Sequence, residues 1–390
     1  MKIRICFLCF MMLGCGLLRS ANGTSMPKEE MQHEVAVTLK LVQVFVLDKN
    51  GDPVKDLRIS DFTVYDNGQP KKITEFERYT LSASPEEVKT ITDMLPPSSR
   101  DVPSMNRKFF FLFDVTRTKM DGLKVARDAA LHFLDTKIQP QDEVGILAFS
   151  AHRDMIILQQ LTQDHEETKR NIQDFIDVAG RPVWSSFTLW REQALAFREL
   201  EEARSTSFRD YDQEANIRSM VVDKDPEMYA TMSKNFEYLN QMEDVARNLR
   251  EIPGFKNIIL FSGGFLGHYQ SDPFFSRSFD GMAKAFASAN SPIHAINTEG
   301  TRQFFKPLPR RGDGELKNLS HFSGGKYFRD VKRYEFYNQS IQDMTGNYYV
   351  LGYYIDEKAD GKYHDIKVEV EGSGLEVIAQ SGYYSPKSLR

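Results

Sequence analysis

Phe109 to Phe113 is a continuous apolar run that ends in an acid, Asp114, and hydroxyls follow at Thr116 and Thr118. Such a run reads as a strand buried on both faces. In an open α/β sheet, ligands bind beyond the carboxyl ends of the strands, where the strand order reverses. An acid there, with two hydroxyls on the next loop, offers hard oxygen ligands of the kind Mg²⁺ takes, with Mn²⁺ or Ca²⁺ as substitutes. The ion keeps a position open, and that position accepts an Asp or Glu carboxylate from a partner protein. A strand-end Asp can equally cap the following helix with no ion at all. Asp121 falls in the first turn of that helix, where its charge suits the helix dipole better than a metal.

Other chemistries leave weaker traces. Asp48-Lys49-Asn50-Gly51-Asp52 begins like a calcium loop, but Pro53 stands where Gly is needed and Ile59 where Glu is needed, so it reads as a hairpin turn. The eight histidines are scattered singly, with no His-x-x-x-His pair for zinc, and read as surface or packed residues. There is no Walker loop, no Gly-x-Ser-x-Gly elbow and no Gly-x-Gly-x-x-Gly. Ser262 lacks a positioned base in the sequence, so no enzyme activity is expected. Arg311-Gly312-Asp313 is turn composition and is not read as an integrin motif.

The chain has 390 residues, which suggests two or three domains. Hydrophobic residues are 41% and charged residues 27%, a balance that excludes a disordered chain or a multi-span membrane protein. The net charge of -5 gives no basic field for nucleic acid. Lys2 and Arg4 precede an apolar stretch from Ile5 to Leu18, the pattern of a secretory signal over residues 1–23. Ala21-Asn22-Gly23 fits cleavage after Gly23. Met12-Leu13-Gly14-Cys15 resembles a lipobox, so a lipid on Cys15 is the one expected link to a membrane. Cys6, Cys9 and Cys15 all lie in this segment, so cleavage after Gly23 leaves no cysteine and no disulfide. The same cleavage removes Lys2, Arg4 and Arg19 and takes the charge from -5 to -8. The expected location is the periplasm, the cell envelope or the medium.

The elements that must position Asp114 follow along the chain. Residues 33–80 read as strands. Val35, Val37, Leu39 and Leu41 alternate, and then Val42, Val44 and Val46 take the other parity, as a bulge or a two-sided strand would give. Asn67-Gly68 is a strong hairpin signal, and Ile73 to Tyr79 is expected to return from it. Residues 81–106, with Pro85, Pro96, Pro97 and Pro103, read as a linker. From 107 to 345 strand-like and helical runs alternate, which predicts a doubly wound, mostly parallel α/β sheet. Leu123, Ala126, Ala130, Phe133 and Leu134 have helical spacing, and Leu189 to Arg204 and Phe236 to Leu249 read as helices. Residues 200–235 are polar and charged and read as a helical insertion. Residues 346–385 return to strands. Neither terminal group completes a sandwich alone, so the two are expected to pair as one all-β sandwich around the α/β domain.

Asp114-Val115-Thr116-Arg117-Thr118 resembles the Asp-x-Ser-x-Ser site of the von Willebrand factor A domain, with threonine for both serines. Thr188-Leu189-Trp190 is similar to that family's second-loop threonine, and Ile258 to Gly264 to its fourth-strand segment. Gly263 stands where that segment carries Asp. Asp61 to Pro70, Tyr348 to Tyr353 and Gly382-Tyr383-Tyr384 resemble the VWFA-related group common in Acidobacteria. The resemblance implies an exported adhesion-type module. Asp114, Thr116, Thr118 and Thr188 would hold Mg²⁺, and Ser262, Gly263, Gly264 and His268, with the 200–235 insertion, would shape the protein contact. The missing carboxylate at Gly263 implies weaker metal affinity, and the alternative is a metal-independent envelope scaffold.

Mass spectrometry of the exported chain is expected to give a species that begins at Thr24 and carries no titratable thiol. A lipid-modified N-terminus at Cys15 would replace that result.

Overall fold

The computed structural model describes residues 38–81, 106–150, 154–179, 226–264, 273–299, 313–355 and 360–385, with the backbone alone for 154, 176–179 and 226–232. The signal segment, Cys15, nearly all of the 81–106 linker, the helix expected at Leu189 to Arg204, and residues 200–225 of the insertion lie outside the described residues.

The chain enters through β1 (Thr38–Leu47). Val42, Val44 and Val46 face one core, while Phe45 and Leu47 face another, so the parity change is that of a two-sided strand rather than a bulge. Asp48 follows, its carboxylate accepting from the backbone N–H groups of Asn50 and Asp52 at 2.8 and 2.9 Å. This Asx turn closes the expected hairpin, which is short: Pro53 bridges Leu47 antiparallel, and the Val54 N–H donates to the Val46 carbonyl at 2.8 Å. It leads into β2 (Phe62–Asp66), which lies in a different sheet. Asn67 and Gly68 both have positive φ, +49° and +76°, as the two-residue turn into β3 (Gln69–Lys71) requires. The return strand is therefore β3. The run expected to return, Ile73 to Tyr79, instead supplies β4 (Glu75–Thr80), which crosses to the sheet of β1.

The α/β part begins with β5 (Lys108–Asp114) and α1 (Met120–Thr136). It continues through β6 (Glu143–Ser150), β7 (Asp154–Thr162), α2 (His165–Ala179) and α3 (Pro226–Arg250). Then come β8 (Lys256–Ser262), α4 (Pro273–Ser288), β9 (Ile293–Asn297), α5 (Asp313–Ser323), β10 (Tyr327–Phe328) and α6 (Tyr334–Gly346). The sheet order is β10-β9-β8-β5-β6-β7. All neighbours are parallel except β7, which runs antiparallel on the edge. Counted within this sheet, the order is 3-2-1-4-5-6, the doubly wound order whose direction reverses between the first and fourth strands, β5 and β8.

Five apolar residues make β5 a central strand. Phe109, Phe111 and Phe113 pack towards α1, α2 and α6, and Phe110 and Leu112 towards α3, α4 and α5. The stripe Leu123, Ala126, Ala130, Phe133 and Leu134 lies along one face of α1 and is buried throughout. Phe133 meets Phe109 and Phe111 edge to face, with centroids 5.3 and 6.0 Å apart. Each buried Phe or Leu of this kind stabilises the fold by roughly 1.5–3 kcal/mol. Among the described residues no helix is long and apolar enough to cross a membrane.

The chain then re-enters the sandwich as β11 (Asn347–Ile355), β12 (Tyr363–Val370), β13 (Glu376–Ala379) and β14 (Gly382–Tyr384). β1 and β4 pair with β11, and β2 pairs with β12, all antiparallel. Two four-stranded sheets result, β13-β1-β11-β4 and β14-β12-β2-β3. Tyr348, Tyr349 and Tyr353 are core residues, and Tyr354 is exposed.

The outer face of the first sheet packs on the α/β part through Phe45, Leu47, Met344, Tyr348 and Val350. Arg107 lines a cleft at this junction with Gln43 and Tyr348. It forms a buried two-pronged ion pair with Asp142 and donates to Gln342 Oε1 at 2.8 Å and to the Lys137 carbonyl at 3.0 Å. Lys40 is buried elsewhere in this interface. Its ammonium donates to Asn290 Oδ1 at 3.2 Å and lies 5.1 Å from the centre of the Tyr383 ring.

Burial, reinforced by the positive charges of Lys256 and Arg250, lowers the Lys40 ammonium to about 7. Lys256 falls to about 8, chiefly from burial. Below pH 7 both lysines are charged in the folded and unfolded chains, and the full penalty applies. As pH rises from about 7 towards the ordinary 10.5, the folded chain loses the protons while the unfolded chain keeps them, so stability rises. Urea unfolding at pH 6, 7.5 and 9 is expected to give increasing stability. Lys40→Met is expected to be more stable than the wild type at pH 6, with a shallower rise. A flat wild-type profile would contradict the assignment.

Candidate functional site

Asp114 is the last residue of β5 and Ser262 the last of β8, so the two meet where the sheet order reverses. Asp114 is fully buried. One carboxylate oxygen accepts from the Ser262 hydroxyl at 2.6 Å, and the other accepts from the backbone N–H of Arg117 at 3.1 Å. The Arg117 guanidinium lies 3.6 Å from the same carboxylate. Burial raises the Asp114 carboxyl above the ordinary carboxylate range, and the Arg117 charge and the Ser262 bond oppose that rise. The Ser262 hydroxyl in turn accepts from the Gly264 N–H at 3.0 Å. Ser262 is thus a strut between two strand ends, and the partner it donates to is a carboxylate rather than an imidazole.

Arg117 is itself buried. It donates to Asn235 Oδ1 at 2.9 Å, and its guanidinium stacks 4.2 Å from the centre of the Tyr238 ring and 5.4 Å from that of Phe149. Burial, with the Asp114 charge behind it, holds the Tyr238 phenol well above its usual range, so it stays neutral. Asn235 and Tyr238 sit three residues apart on α3 and therefore share one face of that helix. The loop after β5 is in this way tied to β8 through Asp114 and to α3 through Arg117.

The expected ligands divide. Thr116 is half-buried on the same turn. Thr118 is buried, and its hydroxyl shares a hydrogen bond with the Thr298 hydroxyl at 3.0 Å, at the end of β9. Thr188 and His268 lie outside the described residues. Asp121 is exposed in the first turn of α1. Ser262, Gly263 and Gly264 are buried, which leaves them as the support of any contact surface rather than the surface itself. His294, on β9, is buried, and that burial lowers it to about 3, so it is neutral.

Gly263 has a local reason to be glycine. A Cβ there would stand 2.0 Å from the Arg117 carbonyl oxygen, in a backbone that has no room to move. The carboxylate that the resemblance places at this position is excluded by the close approach of the two loops.

Among the described residues the donor set does not suit a divalent ion as it stands. Asp114 is committed to a hydroxyl, an amide and a guanidinium, Thr118 to another threonine, and position 263 carries no acid. A unit charge and a divalent charge about 5 Å apart repel by roughly 7 kcal/mol at an effective dielectric constant near 20. Among the described residues no group of three His, Cys, Asp or Glu could hold a metal. Asp114 and its hydroxyls carry a pattern in the sequence, whereas Arg117, Asn235, Tyr238 and Thr298 join the site through tertiary contacts. The one local signal was the lone basic residue between the two threonines.

These elements define an α/β domain with a doubly wound sheet, flanked by a β-sandwich drawn from both ends of the described chain. No family model matches the sequence, and no curated protein matches it. Among solved structures, the chain is similar to BatB from Bacteroides thetaiotaomicron, at 13% identity over 61% of this chain and 98% of that one, with a TM-score of 0.33. It is similar to an aerotolerance-related membrane protein from Bacteroides fragilis at 11% identity over 62% and 98%, with a TM-score of 0.35. The pilus adhesin SpaC from Lactobacillus rhamnosus GG matches at 8% identity over 85% and 49%, with a TM-score of 0.34. None of these likenesses bears on what this chain binds.

Gly263→Ala is expected to cost about 2–3 kcal/mol by urea unfolding, because the added methyl meets backbone rather than a movable side chain. Gly263→Asp is expected to cost more, although it supplies the acid that the resemblance implies. A loss below about 0.5 kcal/mol for the alanine variant, the range of surface changes, would show that the loop gives way.

Proposed function

We propose that this protein is an exported envelope module of von Willebrand A type that captures another protein through the carboxyl edge of its α/β sheet. One observation carries the reading, the placement of the long connections. At the amino edge of the sheet the links are short, at residues 137–142, 251–255, 289–292 and 324–326. At the carboxyl edge, 263–272 follows β8 and 298–312 follows β9. Because β7 runs antiparallel, α2 starts at the amino edge, so its end at Ala179 and the start of α3 at Pro226 both fall at the carboxyl edge. Long connections on a rigid scaffold are where binding residues concentrate, and this edge is where open α/β sheets hold their ligands. Asp114, Arg117 and Ser262 form a buried, mutually bonded group at this edge.

The signal-like first 23 residues support export, and the mature charge of -8 argues against nucleic acid as the partner. The contact proposed here is protein to protein and uses no Mg²⁺ bridge, since the buried group already holds its own cation. An enzyme reading has no nucleophile-base pair to rest on at Ser262.

The test is capture from a native envelope extract by the immobilised mature chain. Replacing 265–272 with a Gly-Ser segment of equal length is expected to reduce capture at least tenfold. The same replacement at 289–292, on the opposite edge, is expected to leave it unchanged. Capture that survives the first change and fails with the second would overturn the reading.

A further inference from the structure

We propose that Arg117 is a built-in cation, whose guanidinium does in this protein what a bound divalent ion would do, and that the site at Asp114 is metal-independent as a result. The inference goes beyond the protein-binding reading and holds whatever the partner is.

A metal ion at the end of a doubly wound sheet would have two tasks. It would neutralise the acid at the strand end, and it would tie together loops from separate elements. Arg117 performs both. Its guanidinium lies 3.6 Å from the Asp114 carboxylate, and both side chains are almost wholly buried, with exposures of 3% and 0%. Its other end reaches α3, where it donates to Asn235 and stacks on Tyr238. Its backbone completes the knot. The N–H donates to Asp114, and the carbonyl oxygen occupies the space a side chain on residue 263 would need. One residue therefore joins the end of β5, the end of β8 and the middle of α3.

Arginine suits this task for a chemical reason. Guanidinium stays protonated at any pH a protein meets, and it is planar, so it can face a carboxylate with one edge and an aromatic ring with its flat side. A covalently held cation also cannot dissociate. A site built this way does not respond to the supply of Mg²⁺, and it excludes a second cation by repulsion. Gly263 belongs to the same arrangement. With the positive charge supplied once, by Arg117, a second acid at 263 has no counter-charge to meet.

The test uses the full mature chain. Calorimetric titration with MgCl₂ and with MnCl₂ is expected to show no saturable heat, and the melting temperature is expected to be the same with either salt as with a chelator. Saturable heat that disappears in Asp114→Asn would overturn the proposal. A second measurement reads the ion pair directly. Arg117→Gln leaves the Asp114 carboxylate buried without its cation, whereas the double variant Asp114→Asn/Arg117→Gln removes both charges. The single variant is expected to melt several degrees below the double. A single variant that melts at or above the double would overturn the proposal, and if the single variant does not fold, the wild-type titration decides.

Discussion

A carboxylate with no exposure to water has to be compensated by its surroundings, and Asp114 sets that condition for the centre of this protein. Its compensation comes from three directions, the Ser262 hydroxyl, the Arg117 amide and the Arg117 guanidinium. Removing one partner of such a buried pair typically costs about 3–5 kcal/mol, because the other is left buried and charged. The acid therefore adds a side-chain bond between the ends of β5 and β8, which the parallel ladder already sets side by side. Those two strands flank the point where the sheet order reverses, and the loops on either side inherit their spacing from that contact.

The same physics recurs at the junction of the two layers. Arg107 and Asp142 form a buried pair whose spare hydrogen-bonding groups are all taken up, by Gln342, the Lys137 carbonyl and the Gln139 amide. Lys40 is the contrasting case. Its partners are a neutral amide and a ring, with two further cations nearby, so the fold holds it at the expense of its charge. One junction thus contains a well-matched ion pair and a poorly matched lysine. Apolar contact between Phe45, Leu47, Met344 and Tyr348 holds the layers while the polar groups fix their register.

The sandwich explains how one chain can support the α/β part from both sides of the sequence. β1 and β11 are more than 300 residues apart at their paired ends, Thr38 with Ile355, yet they lie side by side at the centre of one sheet. Each of these strands is buried on both faces, one against the second sheet and one against the α/β part. That double burial is why their sequences do not show a clean alternation. Asn67-Gly68 was readable as a turn, but which strand followed it was not. The turn residues dictate only the two-residue hairpin, and the next strand chose its partner by packing.

Local rules were enough for the sequence to determine much of this protein. The five-residue apolar run before Asp114 had to be a strand covered on both sides, since that pattern suits no half-exposed element. The spacing from Leu123 to Leu134 had to be one face of a helix. The alternation of such runs implied helices on both sides of a mostly parallel sheet. Tertiary structure alone decided what Asp114 faces. The direction of Arg117 depends on Asn235 and Tyr238, which are more than a hundred residues away on α3, and no local pattern records that meeting. Gly263 shows the same limit, because its missing side chain makes room for a carbonyl on another loop. Residue types state which interactions are available, and the long-range approach of backbones decides which of them a buried charge receives.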